Sequence, residues 1–235
     1  GKLMMGKMRD LDNVNAENLL AACPEADLVE IVSKSDLIAA TNWTMLNNLN
    51  SIFELLTGKI LPQAAKNANR FYFFDLCDPQ KRTKEDIQDL LKKLSAFAPF
   101  GKAVLGLNLK EAEQIYRLIG GSPEDEYADS LKEMATAIRK HLGIYAVVIH
   151  PTRSAAVATK DGAWWVPGPF VESPKITTGA GDVFNAGFMT AQLLGLSMEA
   201  SLTQAVCTSG FYVRTAKSPT IADIKSFLQE IYPNS

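Results

Sequence analysis

The sequence has no excess of charge of either sign and no long apolar run. Among 235 residues, 24 Lys and Arg stand against 26 Asp and Glu, which gives a net charge of −2. Proteins that bind nucleic acid by neutralising its phosphates carry a basic excess, so this balance argues against a nucleic-acid partner. No apolar run approaches the roughly 20 residues of a membrane-spanning helix, and no secretory signal is visible. We therefore expect no membrane partner.

Cysteine is scarce as well. The 3 cysteines, Cys23, Cys77 and Cys207, lie far apart and show neither CxxC nor Cys/His metal-ligand spacing. Scattered cysteines in an odd number predict neither a disulfide framework nor a zinc site. We therefore expect structural thiols in a reducing, cytoplasmic setting.

Apolar residues make up 47% of the chain, which excludes a disordered protein. Short apolar runs alternate with longer amphipathic segments, a pattern typical of parallel strands joined by helices. The predicted strands are Asp36–Thr41, Phe71–Asp75, Ala103–Leu107 and Tyr145–His150, followed by a hairpin of Ala155–Thr159 and Trp164–Pro167. The predicted helices are Thr44–Leu56, Lys84–Phe97, Leu109–Ile119, Glu124–His141, Asp182–Leu194, Met198–Thr215 and Ile221–Ile231. Because no repeat or linker is visible, we expect one α/β domain over residues 1–235 with a mostly parallel sheet.

Polar residues stand at or just beyond the ends of the first four predicted strands. They are Asn42, Asp75, Asn108 and His150. In open α/β sheets, ligands bind outside the carboxyl ends of the strands, so these residues mark a candidate active face. Each of them equally fits a cap of the helix that follows.

The segment Thr177–Asp182 reads Thr-Thr-Gly-Ala-Gly-Asp and leads from a loop into a helix. Gly179, Ala180 and Gly181 place no bulk in the bend, and a helix begins with unpaired amide N–H groups. Such a helix start holds anions, including phosphoryl oxygens. Asp182 lies in the same bend and is suited to take a proton from a hydroxyl. An anion hole with an adjacent base predicts phosphoryl transfer.

A simpler interpretation of this bend is a turn followed by an N-capping Asp182. Ala186 and Gly187 favour the functional interpretation, because such small residues allow the helix to pack closely beneath the sheet. The segment is not a Walker A loop, since no Gly-Lys-Ser/Thr follows. It is not a dinucleotide fingerprint either, which argues against an oxidoreductase.

The stretch Thr177–Phe188 resembles the C-terminal signature of the ribokinase-like carbohydrate kinases, a family that includes fructokinase, adenosine kinase and 2-keto-3-deoxygluconate kinase. Asn108-Leu109-Lys110-Glu111 resembles the family's Asn-x-x-Glu motif, which organises Mg²⁺ and its waters beside the nucleotide phosphates. By spacing alone, Asn108 and Glu111 also fit a capping box, and the two roles are compatible. From Asp36 onward, the resemblance implies a three-layer sandwich around the sheet, with ATP as co-substrate and Mg²⁺ as metal.

The resemblance also implies roles for individual residues. Asp182 resembles the catalytic base and contacts the substrate, Gly179, Ala180 and Gly181 resemble the anion hole, and Glu111 resembles a Mg²⁺ ligand acting through water. The expected nucleotide-binding residues are Asn108, Glu111, Thr178, Val206, Ser209 and Gly210. Adenine would lie between the loop after His150 and the helix around residues 206–210, although tight helix packing explains the small residues of that helix equally well.

Two residues nearer the N-terminus are assigned by the same resemblance. Asn42 falls at a position that contacts the sugar in some family members. Arg82 roughly matches the family's Asp-Pro-x-x-Arg stretch, and a solvated loop residue is the alternative interpretation.

The chain departs from the family pattern in several places. His150-Pro151-Thr152 stands where Thr-x-Gly is usual, and Ile176 stands where an Asp commonly precedes the signature. Family members are longer, and their N-terminal part carries a Gly-Gly motif and a small β-sheet lid that we do not recognise here. We interpret Gly1–Lys7 as the end of that part, and we expect the N-terminal part and lid to be missing.

The sequence therefore predicts an ATP-dependent phosphotransferase that acts on an alcohol group of a small sugar or sugar-like substrate. The alternative is a non-catalytic protein of the same fold that binds nucleotide or serves as a scaffold. Asp182 favours the enzyme, because a scaffold has no need of a base in an anion hole. A sugar, a sugar acid and a nucleoside all remain open as acceptors, and the intact protein could be a homodimer.

Overall fold

The computed structural model describes residues 8–123 and 125–231. Gly1–Lys7, interpreted above as the end of an N-terminal part, lies outside the described residues. The described chain divides into two compact units. One contains the residues up to Leu105 together with Leu142–Tyr145, and the other contains Gly106–His141 and the residues from Ala146 onward. The expectation of a single domain stays a prediction.

The strands form a six-stranded sheet in the order β1-β2-β3-β4-β5-β6. Their bounds are Leu37–Ala40 (β1), Phe71–Asp75 (β2), Lys102–Leu107 (β3), Ala146–Ile149 (β4), Ser154–Ala158 (β5) and Ala163–Pro167 (β6). β1 and β2 are parallel, with Leu37 opposite Phe71, whereas β5 is antiparallel to both β4 and β6. The sheet is therefore mixed, and both the predicted α/β class and the predicted hairpin are confirmed.

The α-helices span Ala16–Ala22 (α1), Glu25–Lys34 (α2), Leu49–Leu55 (α3), Lys84–Ser95 (α4), Leu109–Leu118 (α5), Ala128–Leu142 (α6), Ala180–Leu193 (α7), Met198–Thr215 (α8) and Ile221–Ile231 (α9). The predicted bounds of α8 and α9 are confirmed. The helix expected to begin at Glu124 begins at Ala128, and Glu124 itself lies outside the described residues. No helix in the described part of the chain is long and apolar enough to cross a membrane.

The helix predicted from Thr44 was wrong in its first half. Trp43–Met45 forms a 3₁₀ turn, and Leu46 leaves helical geometry with φ −110° and ψ 85°. The regular helix begins only at Leu49 and widens into a π turn over Leu56–Ile60. Two Asn residues precede it, and Asn favours caps and turns over helix interiors because its side chain competes for backbone hydrogen bonds.

Helices α1 and α2 were not predicted, although the sequence carries a start signal for each. The side chain of Asn15 accepts a hydrogen bond from the amide of Asn18 at 2.9 Å, which caps the first turn of α1. Pro24 precedes α2, and Glu25 and Asp27 complement the positive end of its dipole. These start signals indicate both helices, which apolar periodicity alone does not.

Aromatic rings fill the core of the first unit. Phe53 meets Phe74 and Phe97 edge to face, with ring centroids 5.5 and 5.7 Å apart. Arg70 is buried beside Tyr72, and its guanidinium donates to the carbonyl oxygens of Ser33, Ser35 and Ala65. A buried guanidinium needs such partners, so Arg70 fastens the segments before β1 and β2 together.

In the second unit, helices α7 and α8 approach each other at Gly187. A Cβ at this position would lie 2.7 Å from the Thr208 hydroxyl oxygen and 3.1 Å from the Ala205 Cα. The expectation of close packing is confirmed, but the neighbour was wrong, because Gly187 packs against α8. Ala186 is exposed.

Candidate active site

The predicted anion hole is the open start of α7. Gly179 has left-handed geometry, with φ 85° and ψ 0°, and α7 begins at the next residue. The Ala180 amide donates to the Thr177 carbonyl at 3.2 Å. Within the described part of the chain, the amides of Gly179, Gly181 and Asp182 have no hydrogen-bond partner. The donors available to an anion are therefore these three amides rather than that of Ala180.

Asp182 is the third residue of α7, and its side chain is exposed. The N-cap is Gly179, so the interpretation of Asp182 as the N-cap was wrong. The Asp182 carboxylate lies in the first turn of α7, where it can accept a proton from a hydroxyl group held at the helix start.

Helix α8 supplies further contacts to this bend. The Ser209 hydroxyl donates to the Ala180 carbonyl at 3.1 Å, and the Tyr212 hydroxyl donates to the Thr178 carbonyl at 2.9 Å. Gly210 lies against the Pro169 ring, and Val206 is buried. The sequence singled out Ser209 but not Tyr212, for which the only signal was its place one helical turn beyond Ser209. The nucleotide contacts assigned to Thr178, Val206, Ser209 and Gly210 stay predictions.

Asn108 and Glu111 form a capping box at the start of α5. The Asn108 side chain accepts from the Glu111 amide at 3.0 Å, and the Glu111 carboxylate accepts from the Asn108 amide at 2.9 Å. Asn108 is exposed, whereas Glu111 is buried. The capping role read from the spacing is confirmed.

Magnesium binding at Glu111 is compatible with this geometry. The described residues contain no cluster of three or more His, Cys, Asp or Glu side chains that could hold a metal. Mg²⁺ in phosphoryl-transfer sites is commonly held by one or two carboxylates together with substrate phosphates and waters. The single Glu111 carboxylate in the first turn of α5 is compatible with a site of this kind.

His150 also lies beside the predicted anion hole. Its Cε1 atom is 3.4 Å from the position that a Cβ of Gly181 would take, and its backbone amide donates to the Leu107 carbonyl at 2.9 Å. The Nε2 atom is buried and has no hydrogen-bond partner among the described residues. Burial disfavours the charged ring and lowers the pKa of His150 to about 4. A neutral imidazole thus lies beside the Gly-rich bend, on a residue whose backbone is bonded to the last residue of β3.

A model of the prokaryotic ketohexokinase family matches residues 1–231. The chain belongs to the prokaryotic ketohexokinase family. The match includes the residues before Asp36, where the motifs had shown no resemblance. The ketohexokinase of Haloferax volcanii is 25% identical over 227 residues, which cover 97% of this chain and 59% of that protein. The chain therefore spans less than two thirds of the length of this curated relative.

Solved structures show the ketohexokinase-family chain to have the ribokinase-like fold. The ribokinase of Thermotoga maritima matches with a TM-score of 0.61 at 18% identity, covering 86% of this chain and 59% of that one. A putative sugar kinase from Clostridium perfringens matches with a TM-score of 0.66 at 17% identity, covering 97% and 62% respectively. The resemblance to ribokinase-like carbohydrate kinases is confirmed.

In the first unit of this ketohexokinase-family chain, the ends of β1 and β2 carry unusual backbone geometry. Asn42, Cys77 and Asp78 adopt left-handed conformations, with φ 61°, 60° and 67°. Asn42 is exposed after β1, and Asp75 accepts from the Cys77 amide at 3.1 Å. Non-glycine residues in this region cluster at functional sites, since the strain must be offset by the surroundings. The sugar contact of Asn42 stays a prediction.

Arg82 is held by its neighbours. Its guanidinium lies 4.5 Å from the centroid of the Trp43 ring and donates to Asp86 at 3.3 Å and to Asn47 at 3.1 Å. Only 13% of its side chain is accessible, so the interpretation as a solvated loop residue was wrong. These contacts fix the loop after β2 and partly neutralise the charge of Arg82.

Proposed function

We propose that this protein is a ketohexokinase, which transfers the γ-phosphoryl group of ATP to a hydroxyl group of a ketohexose. The family match over residues 1–231 supports the class of substrate. The observation that carries the chemistry is the left-handed turn at Gly179, which opens α7 with unpaired amides and places Asp182 in its first turn.

In the proposed reaction, the Asp182 carboxylate accepts the proton of the attacking hydroxyl as that oxygen bonds to phosphorus. The bond between the γ-phosphorus and its bridging oxygen breaks, and ADP leaves with the electron pair. The amides of Gly179, Gly181 and Asp182 donate to the phosphoryl oxygens, where negative charge is concentrated. Asp182 thereby moves the proton while the helix start supplies electrostatic stabilisation.

In this scheme, Glu111 is the residue that would organise Mg²⁺. When bound, Mg²⁺ supplies charge neutralisation at the nucleotide phosphates. The capping box holds the Glu111 carboxylate by its bond to the Asn108 amide, which fixes the orientation of the carboxylate. The water-mediated contact implied by the family motif is consistent with this arrangement.

The test of substrate class is an acceptor comparison with ATP and Mg²⁺. D-fructose, D-ribose, 2-keto-3-deoxygluconate and adenosine are supplied separately at equal concentration, and products are identified by mass spectrometry and ³¹P NMR. We expect a ketohexose phosphate and ADP in equal amounts, with the highest kcat/KM for fructose. A higher kcat/KM for adenosine or the sugar acid would reject the ketohexose assignment. ATP binding with no phosphorylated product from any acceptor would favour the non-catalytic alternative.

A further inference from the structure

The 12-residue segment between β6 and α7 is bonded along its length to the last turns of α8. Near its start, the Arg214 guanidinium donates to the carbonyl oxygens of Pro169 and Phe170 at 2.9 and 3.0 Å. Further along, the Lys175 amide donates to the Val213 carbonyl at 2.8 Å. That carbonyl belongs to the last turn of α8, where carbonyl oxygens lack partners within the helix.

The segment ends at the two hydroxyl contacts of the bend. Tyr212 donates to the Thr178 carbonyl at 2.9 Å, and Ser209 donates to the Ala180 carbonyl at 3.1 Å. Residues three apart on a helix lie on the same side, so both hydroxyl groups come from one side of α8. Every second peptide group across the bend is thus held from a single helix.

Holding a carbonyl oxygen also fixes the direction of the following amide. In a trans peptide the C=O and the next N–H point in opposite directions, and the described chain has no cis peptide. The Tyr212 hydroxyl therefore directs the Gly179 N–H away from α8. The Ser209 hydroxyl does the same for the Gly181 N–H. These are two of the three unpaired amides of the anion hole.

Gly179 also allows the Tyr212 hydroxyl to come close to the bend. A Cβ at Gly179 would lie 3.2 Å from the Tyr212 hydroxyl oxygen, and its φ of 85° disfavours any side chain. The glycine thus allows the close approach of Tyr212 as well as the left-handed turn. Gly179 and Tyr212 act as a matched pair at this contact.

We propose that Ser209 and Tyr212 are positioning residues that orient the amides of the anion hole for phosphoryl transfer. The inference rests on the proposed kinase function. It gives both hydroxyl groups a role through the backbone of the bend, without contact to the reacting atoms. A displaced amide donor loses most of its effect, because stabilisation depends on donors held about 3 Å from the developing charge.

The test compares Tyr212→Phe, Ser209→Ala and the double variant with the parent protein. Tyr116→Phe and Ser95→Ala are matched controls, since each removes a hydroxyl that bonds elsewhere, to Glu133 and to the Leu91 carbonyl. We expect kcat to fall about 10-fold in each single variant and about 100-fold in the double variant. The single-variant loss is smaller than the roughly 10²–10³-fold cost of removing an oxyanion donor, because the amide is displaced and not removed. KM for the sugar and the control variants should stay within about 2-fold of the parent.

A second readout is independent of turnover. Hydrogen exchange followed by mass spectrometry should show faster exchange of the peptide covering residues 177–183 in the double variant and unchanged exchange in both controls. Unchanged kcat in the double variant, or unchanged exchange in this peptide, would overturn the positioning role. Asp182→Asn separates the two proposals: if that variant is inactive while the double variant is fully active, only the positioning role fails. Full activity of Asp182→Asn contradicts the proposed mechanism itself.

Discussion

The imidazole of His150 stacks on the ring of Phe184, with centroids 4.7 Å apart and planes inclined by 32°. This contact, together with Gly181, places the ring in a setting that disfavours its charged form. The pKa of His150 is lowered to about 4, from an ordinary value of 6.5. The unfolded chain therefore binds more protons than the folded chain between these two values.

Stability should consequently fall as the pH drops from 6.5 towards 4. The stabilising contribution of His150 is fully present above pH 6.5. Its loss lowers the free energy of unfolding by about 2 kcal/mol at pH 5 relative to pH 7. His150→Phe keeps the ring contact and removes the titration. We expect the loss between pH 7 and pH 5, measured by urea unfolding, to be smaller in this variant by that amount. An equal loss in the parent and in His150→Phe would show that the pKa of His150 is not lowered by burial.

Gly187 should be intolerant of a side chain. A Cβ there would approach Thr208 to 2.7 Å and Ala205 to 3.1 Å, so Gly187→Ala forces α7 and α8 apart. We expect a loss of about 1–3 kcal/mol in the free energy of unfolding. Gly58→Ala is the matched control, because nothing lies within 4 Å of its Cβ position. That variant should gain about 0.5–1 kcal/mol from its higher helix propensity. Denaturant midpoints of the two variants on the same side of the parent would refute this packing.

Glu111 offers a way to separate capping from metal binding. Glu111→Gln keeps a capping-box side chain, so stability should change by less than about 0.5 kcal/mol, whereas Asn108→Ala should cost about 1 kcal/mol. In Glu111→Gln, the Mg²⁺ concentration for half-maximal turnover should rise, because the carboxylate charge is lost. If Glu111→Gln is destabilised but its response to Mg²⁺ is unchanged, Glu111 acts only in the capping box and not in metal binding.

Potassium should have little effect on turnover. Ile176 stands where the resembling family carries an Asp, and an apolar side chain offers no oxygen to a cation that prefers oxygen ligands. The assay compares turnover in KCl and in tetramethylammonium chloride at equal ionic strength. A several-fold, saturable increase in K⁺ would show that backbone oxygens suffice for a cation site.

The sequence predicted well wherever a local rule decides the structure. Apolar runs gave all six strands to within one or two residues, and the Asn108–Glu111 spacing gave a capping box that forms as expected. The bend predicted at the signature is also present, as a left-handed turn at Gly179 before α7. These features depend on hydrogen bonds and backbone angles within a few residues, which residue types specify directly.

Features that depend on distant neighbours escaped prediction. The contact between Tyr212 and Thr178 joins residues 34 positions apart, and the place of Tyr212 one helical turn beyond Ser209 does not indicate which group its hydroxyl contacts. The depressed pKa of His150 arises from burial against Phe184 and is equally invisible in composition. The predicted packing of Gly187 beneath the sheet was wrong for the same reason. A small residue indicates a close approach but does not identify the element that approaches.

The most direct measurement is turnover of Asp182→Asn with saturating ATP, Mg²⁺ and fructose, alongside calorimetric binding of ADP. Asn has nearly the same shape as Asp but cannot accept the hydroxyl proton, so kcat should fall by at least ~10²-fold. ADP affinity should change by less than about 3-fold, because the base acts on the acceptor hydroxyl and not on the nucleotide. The small remaining change comes from the loss of one negative charge near the phosphates. Asp161→Asn, on the exposed turn after β5, is the control and should turn over like the parent. Near-parental kcat in Asp182→Asn would contradict the assignment of Asp182 as the base.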